Sequence, residues 1–234
     1  MDRRDFVGCS MAAGCLAWAA ARPAFAAGRP LKRHARVLLT GDTGRPLKAA
    51  NLRPQVNYIF HYPFEATPVL LLDLGRAVMP LALSVNRTGE EYEWPGGVGP
   101  RRSIVAFSAI CSHKLVYPTR EVSFISFRRQ RARRGVDDAL IHCCADHSQY
   151  DPSKGSMVVA GPAPEPLAAV LLEHDRGADT LTAYGTVGDE LFDAFFTRYA
   201  AKLDLEHGPR ARERVTGEAR VWELEKFCRN NIQC

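Results

Sequence analysis

Two short segments concentrate the side chains able to hold a metal centre. The first is Cys111-Ser112-His113. The second is Cys143-Cys144-Ala145-Asp146-His147, which runs on into Ser148-Gln149-Tyr150-Asp151. One Cys and one His in each of two loops suit an iron–sulfur centre in which two thiolates hold one iron and two imidazoles the other. Neutral imidazoles in place of anionic thiolates make such a centre easier to reduce. Potentials of roughly −150 to +300 mV then replace the −400 mV or so of plant-type, all-thiolate clusters. A proline-rich run, Gly161-Pro162-Ala163-Pro164-Glu165-Pro166-Leu167, lies downstream.

These three elements occur in order: C-x-H, C-x-x-H leading into Tyr150-Asp151, and G-P-A-P-x-P-L. On them the chain resembles the Rieske iron–sulfur protein family over Leu38–Tyr184. The resemblance implies one [2Fe–2S] cluster per chain, at the tip of a small β subdomain and covered by the proline-rich run. It places Cys111 and Cys144 on one iron and His113 and His147 on the other. It also implies an electron carrier serving a catalytic redox subunit, a cytochrome c or a quinone-linked complex, rather than a catalyst acting alone.

The chain departs from the family in three ways. Members of the quinol–cytochrome oxidoreductase type join their cluster loops by a disulfide, whose cysteines would fall at Val116 and Asp146 here, so that bridge cannot form. The pattern is similar to the small subunit of arsenite-oxidase-like enzymes, and Asp151-Pro152-Ser153-Lys154-Gly155 fits that comparison. The second loop is also shifted: the family places its His five residues before the Asp of Tyr-Asp, whereas His147 stands four before Asp151. An ungapped alignment puts Cys143 and Asp146 in the ligand positions. The C-x-x-H spacing and the need for an imidazole select Cys144 and His147. A Cys143–His147 pair, an Asp146 ligand, or a degenerate centre in a non-redox binding or structural module stay open. Thirdly, thirty residues separate His113 from Cys144, including the basic run Arg128-Arg129-Gln130-Arg131-Ala132-Arg133-Arg134. That run reads as a solvated hairpin tip or as a docking patch for an acidic partner. A Rieske oxygenase is not expected, because it needs a second iron held by two His and a carboxylate. Only fifty residues follow Tyr184, with one His among them.

The elements that must position the two loops read as short strands. Residues 34–40, 56–62, 69–74, 81–85, 103–108, 122–128, 139–143, 168–173 and 180–184 are rich in Val, Ile, Leu and aromatics and are separated by turn residues. The expected fold is mainly β, an antiparallel barrel or sandwich of the Rieske type with a cluster-binding subdomain. Glu90, Glu91 and Glu93 read as a solvated loop. Helix is expected only late, over residues 188–205, where Leu191, Phe192, Phe195, Phe196, Tyr199 and Leu203 keep helical spacing, and again around residues 218–228. The organisation is then a leader over 1–26, a Rieske domain over 27–186 and a helical C-terminal extension over 187–234. Cys228 and Cys234 read equally as a local disulfide in an oxidising compartment or as free thiols. His61, His142, His174 and His207 show no ligand spacing.

The leader sets the compartment. Arg3-Arg4-Asp5-Phe6-Val7 is a twin-arginine pattern, an apolar Ala-rich stretch follows, and Ala24-Phe25-Ala26 offers cleavage before Ala27. The apolar run, sixteen residues from Phe6 to Ala21, is shorter than the roughly 20 that span a bilayer. Membrane association is therefore expected only through a partner or an uncleaved leader. The twin-arginine route carries folded proteins, which suits a cofactor inserted before export to the periplasm. The chain's formal charge of +5 drops to +4 with loss of the leader's three Arg and two Asp. Such mild basicity fits an acidic protein partner. No basic–aromatic module for nucleic acid accompanies it.

Overall fold

The structure is a computed structural model describing residues 31–84, 91–131 and 137–234. The expected twin-arginine leader, Glu90 and residues 132–134 of the basic run lie outside the described residues. In chain order the strands are β1 (Lys32–Thr40), β2 (Tyr58–His61), β3 (Pro68–Asp73), β4 (Leu81–Ser84), β5 (Glu91–Trp94), β6 (Ile104–Ser108), β7 (Val122–Ser123), β8 (Ile125–Arg131), β9 (Asp137–Cys143), β10 (Ser148–Asp151), β11 (Met157–Ala160), β12 (Ala169–Asp175) and β13 (Thr180–Val187). Helices α1 (Leu191–Arg198) and α2 (Ala200–His207) follow. The chain then returns to strand in β14 (Gly217–Arg220) and β15 (Trp222–Glu223), makes one turn of helix in α3 (Leu224–Phe227) and ends on β16 (Asn230–Asn231). The fold is mainly β, as its alternating strand-length runs require.

Eight strands form one sheet in the order β14-β1-β13-β12-β6-β3-β2-β15. β14 pairs with β1 at one edge and β15 with β2 at the other. Only Val221 separates β14 from β15 in the chain, so the two edges of the sheet meet there and the sheet curls towards a barrel. This buries edge backbone that would otherwise be open to other chains. A second sheet, β11-β10-β9-β8, carries the turn over residues 143–147, whereas Cys111 and His113 follow β6 of the first sheet.

The period of two along each strand divides the core. In β3, β6 and β12, Val69, Leu71, Ile104, Ala106, Val170 and Leu172 point into the barrel. Their neighbours Leu70, Leu72, Val105, Phe107, Ala169 and Leu171 point the other way, onto the second sheet. These strands are buried on both faces, which explains why they read as continuous apolar runs. The second cluster of buried residues also takes in Ile125, Phe127, Ile141, Cys111, Cys143 and Tyr150. The two loops that carry Cys111 and Cys143 are thereby anchored to the barrel wall by apolar packing, and truncating Phe107 to Ala is a change that typically costs about 3–5 kcal/mol.

Three sequence readings change. Glu91 and Glu93 lie in β5, not in a solvated loop: β5 alternates exposed Glu with buried Tyr92 and Trp94, and hairpins with β4. The late helix breaks at Tyr199 (φ −106°, ψ 17°), giving two eight-residue helices instead of one. The helix expected around 218–228 shrinks to α3, because residues 217–223 find two open sheet edges and tertiary pairing overrides local propensity. The C-terminal segment therefore contributes short helices and also edge strands. Among the described residues no helix is long and apolar enough to cross a membrane.

Candidate metal centre

Cys143 is the last residue of β9. Its Cα pairs with Ile125 of β8 and Ser148 of β10. Strand alternation puts Cys143 on the same face as Ile141, and both are fully buried. The next residues, 144–147, form the turn into β10. The first loop leaves β6 and folds back on itself: the Cys111 amide donates to the Val116 carbonyl (3.0 Å) and the Leu115 amide to the Cys111 carbonyl (2.9 Å), with Leu115 at φ 57°.

The two loops meet at their donors. One ligand atom from each of Cys111, Cys143 and Asp146 lies within 4.8 Å of the others. The Cys111 thiol donates to Asp146 Oδ2 at 3.2 Å, and His113 Nδ1 lies 2.9 Å from the same oxygen. Asp146 Oδ1 accepts from the Ser148 amide at 3.0 Å, which fixes the carboxylate's orientation across the turn. The Asp146 side chain is only 2% exposed and that of His113 35%, so the centre reaches solvent at the imidazole.

Hydroxyl groups and the proline-rich segment close the other side. The buried Tyr150 hydroxyl sits 3.5 Å from Cys111 Sγ and 3.2 Å from Ser112 Oγ, and Ser112 donates to the Glu165 carbonyl at 2.7 Å. Ser148 Oγ accepts from the Ala163 amide at 3.1 Å. Gly161, at φ +88°, permits this closure: a Cβ there would stand 2.5 Å from Ser148 Cα and 2.7 Å from the His147 carbonyl oxygen. Only glycine lets the segment approach so closely.

The electrostatics suit thiolate ligation at Cys111. A hydrogen bond from the Cys143 thiol, aided by Tyr150 and backbone amides against the cost of burial, holds the Cys111 thiol below its ordinary range. The same hydrogen bond, followed by burial, pushes Cys143 up. Burial alone would raise Asp146, but the Ser148 amide and the two thiols outweigh it and hold the carboxyl down. Burial first, then the charge of Cys111, keeps Tyr150 protonated and therefore a donor.

Of the four positions read from the sequence, Cys111 lies beside Cys143 and Asp146, and His113 contacts Asp146. Cys144 and His147 do not join them. Cys144 is bonded to Cys234, with a Cα–Cα distance of 5.5 Å, and His147 is exposed on the turn at φ 62°. The donors that converge are Cys111, Cys143 and Asp146, with His113 joined to them through Asp146, and they follow the ungapped register of the second loop. The signal for it lay in counting back from Tyr150-Asp151. The Cys228–Cys234 bridge is absent: Cys228 is buried and its thiol donates to the Thr119 carbonyl at 2.8 Å. Arg128 is also reassigned. It lies in β8, half-buried, and its guanidinium contacts Cys144 Sγ (3.0 Å) and the Ile232 carbonyl, clamping the C-terminal tail.

No protein-family model matches the chain. Among solved structures it is similar to the soluble domain of the Rieske protein II (soxF) from Sulfolobus acidocaldarius, with 26% identity and a TM-score of 0.48, over 65% of this chain and 78% of that one.

Proposed function

We propose that the chain is an exported Rieske-type [2Fe–2S] protein that passes single electrons between a catalytic partner and a cytochrome c or quinone-linked complex in the periplasm. The observation that carries this reading is the convergence of Cys111 and Cys143, from two separate loops, on one buried point beneath the Tyr150 hydroxyl. The motif order, C-x-H then Tyr150-Asp151 then the proline-rich run, supports it.

The donor chemistry fits the group. Two adjacent buried thiols suit one iron, and His113 beside Asp146 supplies the donors for the other. When bound, such a cluster accepts and releases one electron at a time. The protein's own residues do the rest. Tyr150 holds a hydroxyl proton towards Cys111 sulfur, the segment from Gly161 to Leu167 excludes water, and the part-exposed His113 edge offers the short path for an electron to a docked partner. The missing cross-loop cysteines, with Val116 and, in the ungapped register, Ala145 in their places, favour a catalytic partner of the arsenite-oxidase-like kind.

The test is the EPR spectrum of the folded, dithionite-reduced protein, together with its iron and sulfide content. A rhombic signal of a reduced [2Fe–2S] cluster with nitrogen ligation, at two irons per chain, is expected. A folded protein that binds no iron would end this reading and leave a binding or structural module.

A further inference from the structure

We infer that Asp146 is itself a cluster ligand, so that the histidine-bound iron is held by one imidazole, His113, and one carboxylate. This rests on the electron-carrier reading above and specifies its metal site.

The turn geometry is the first reason. Asp146 Oδ1 is tied to the Ser148 amide at 3.0 Å, which directs Oδ2 to the point between Cys111 Sγ (3.2 Å) and His113 Nδ1 (2.9 Å). A carboxylate that is 2% exposed and directed at a thiol and an imidazole occupies a metal-ligand position. Buried charge of this kind is retained where it is paired or coordinates a cation.

Register is the second reason. For His147 to replace Asp146, the turn would have to slip by one residue. That slip would invert the faces of the adjoining strand ends. It would move Cys143 out of the core, break the Ser148–Ala163 hydrogen bond (3.1 Å) and displace the backbone against which Gly161 packs at 2.5–2.8 Å. The Cys144–Cys234 disulfide removes the other candidate thiol from the same alternative. His147 instead sits outside the site at φ 62°, a left-handed conformation that His adopts more readily than most non-glycine residues.

Charge then distinguishes the site. With two thiolates, one imidazole and one carboxylate, the ligand set carries one more negative charge than a two-Cys, two-His set. The reduced state is disfavoured accordingly, and the midpoint potential falls below that of a bis-imidazole cluster held in the same loops.

Pulsed EPR of the reduced, full-length mature protein tests this by counting strongly coupled imidazole nitrogens. One is expected, lost in His113→Ala and kept in His147→Asn. Asp146→His should add a second nitrogen and shift the midpoint potential upward. Asp146→Asn should lower iron retention several-fold while circular dichroism reports the same fold. Two nitrogens in the wild type, one of them removed by His147→Asn, would overturn the carboxylate ligand and leave the electron-carrier reading standing. A folded wild-type protein with no iron would overturn both.

Discussion

Asp146 Oδ2 lies 2.9 Å from His113 Nδ1, joining two loops that no disulfide connects. In the ungapped register the bridge positions of the quinol-oxidising type fall at Val116 and Ala145, neither of which is a cysteine. Noncovalent links hold the loops together instead: Asp146 to Cys111 and His113, Ser112 to Glu165, and Ser148 to Ala163. The covalent link has moved to the outer side of the turn, where Cys144 is bonded to Cys234.

Tyr150→Phe should lower the midpoint potential with the cluster intact. The hydroxyl, 3.5 Å from Cys111 Sγ, stabilises the extra electron of the reduced state when it donates to sulfur. Charge-assisted hydrogen bonds contribute about 1.5–3 kcal/mol, and only the difference between redox states counts, so a shift on the order of tens of millivolts follows. Protein-film voltammetry of the two proteins checks it; an unchanged potential would remove Tyr150 from the redox chemistry.

Cys234→Ser should leave the iron content unchanged and destabilise the fold by about 2–4 kcal/mol, the usual contribution of a disulfide closing a long loop. The bridge spans 90 residues and pins the tail along β8. Urea midpoints with and without reductant measure the effect. Peptide mapping under non-reducing conditions should recover a Cys144–Cys234 pair and an alkylated Cys228.

Acid should destabilise the protein through His61. This imidazole lines a cavity of about 450 Å³ with Tyr117, Arg120, Glu206, His207 and Phe227. Burial, with the positive charges of His207 and Arg120, lowers its pKa from 6.5 to about 3. The unfolded chain therefore binds a proton that the folded state refuses. The contribution to stability is complete above about pH 6.5 and is lost as pH falls towards 3, with a slope of at most about 1.4 kcal/mol per pH unit. Urea unfolding at pH 7 and pH 4.5 should show a smaller pH dependence in His61→Asn than in the wild type. Equal slopes would exclude His61 as the source.

The remaining arginines of the basic run should affect the encounter rather than the potential. Replacing Arg129, Arg131, Arg133 and Arg134 by Gln should slow electron transfer to an acidic cytochrome c at low salt. The difference should fade above about 0.1 M, where charges are screened beyond about 10 Å. Stopped-flow rates across ionic strength decide it; salt-independent rates in both proteins would end the docking role. Arg128→Gln should instead loosen the tail, through its contacts with Cys144 and Ile232.

Replacing Arg3-Arg4 by Lys-Lys should strand the precursor in the cytoplasm. Fractionation with antibody detection checks this, and normal periplasmic accumulation of the double variant would refute the twin-arginine assignment.

The sequence by itself determined the mainly β fold, because Val-, Ile- and Leu-rich runs of strand length between turn residues permit little else. It also determined the first loop, since Cys111-Ser112-His113 holds a thiol and an imidazole two residues apart, whatever the surroundings. The second loop has four candidate donors within five positions, and local spacing does not say which face of the strand each one takes. Only the tertiary structure separated Cys143 from Cys144. The pairing of β9 with β8 and β10 turns Cys143 into the core, while the tail at Ile232–Cys234 lies against the side where Cys144 emerges. The same is true of residues 217–223, whose composition suits a short helix and which became strand because two unpaired sheet edges were within reach. Alternation along a strand is fixed by local geometry, but which of its two faces meets the core depends on partners distant in sequence.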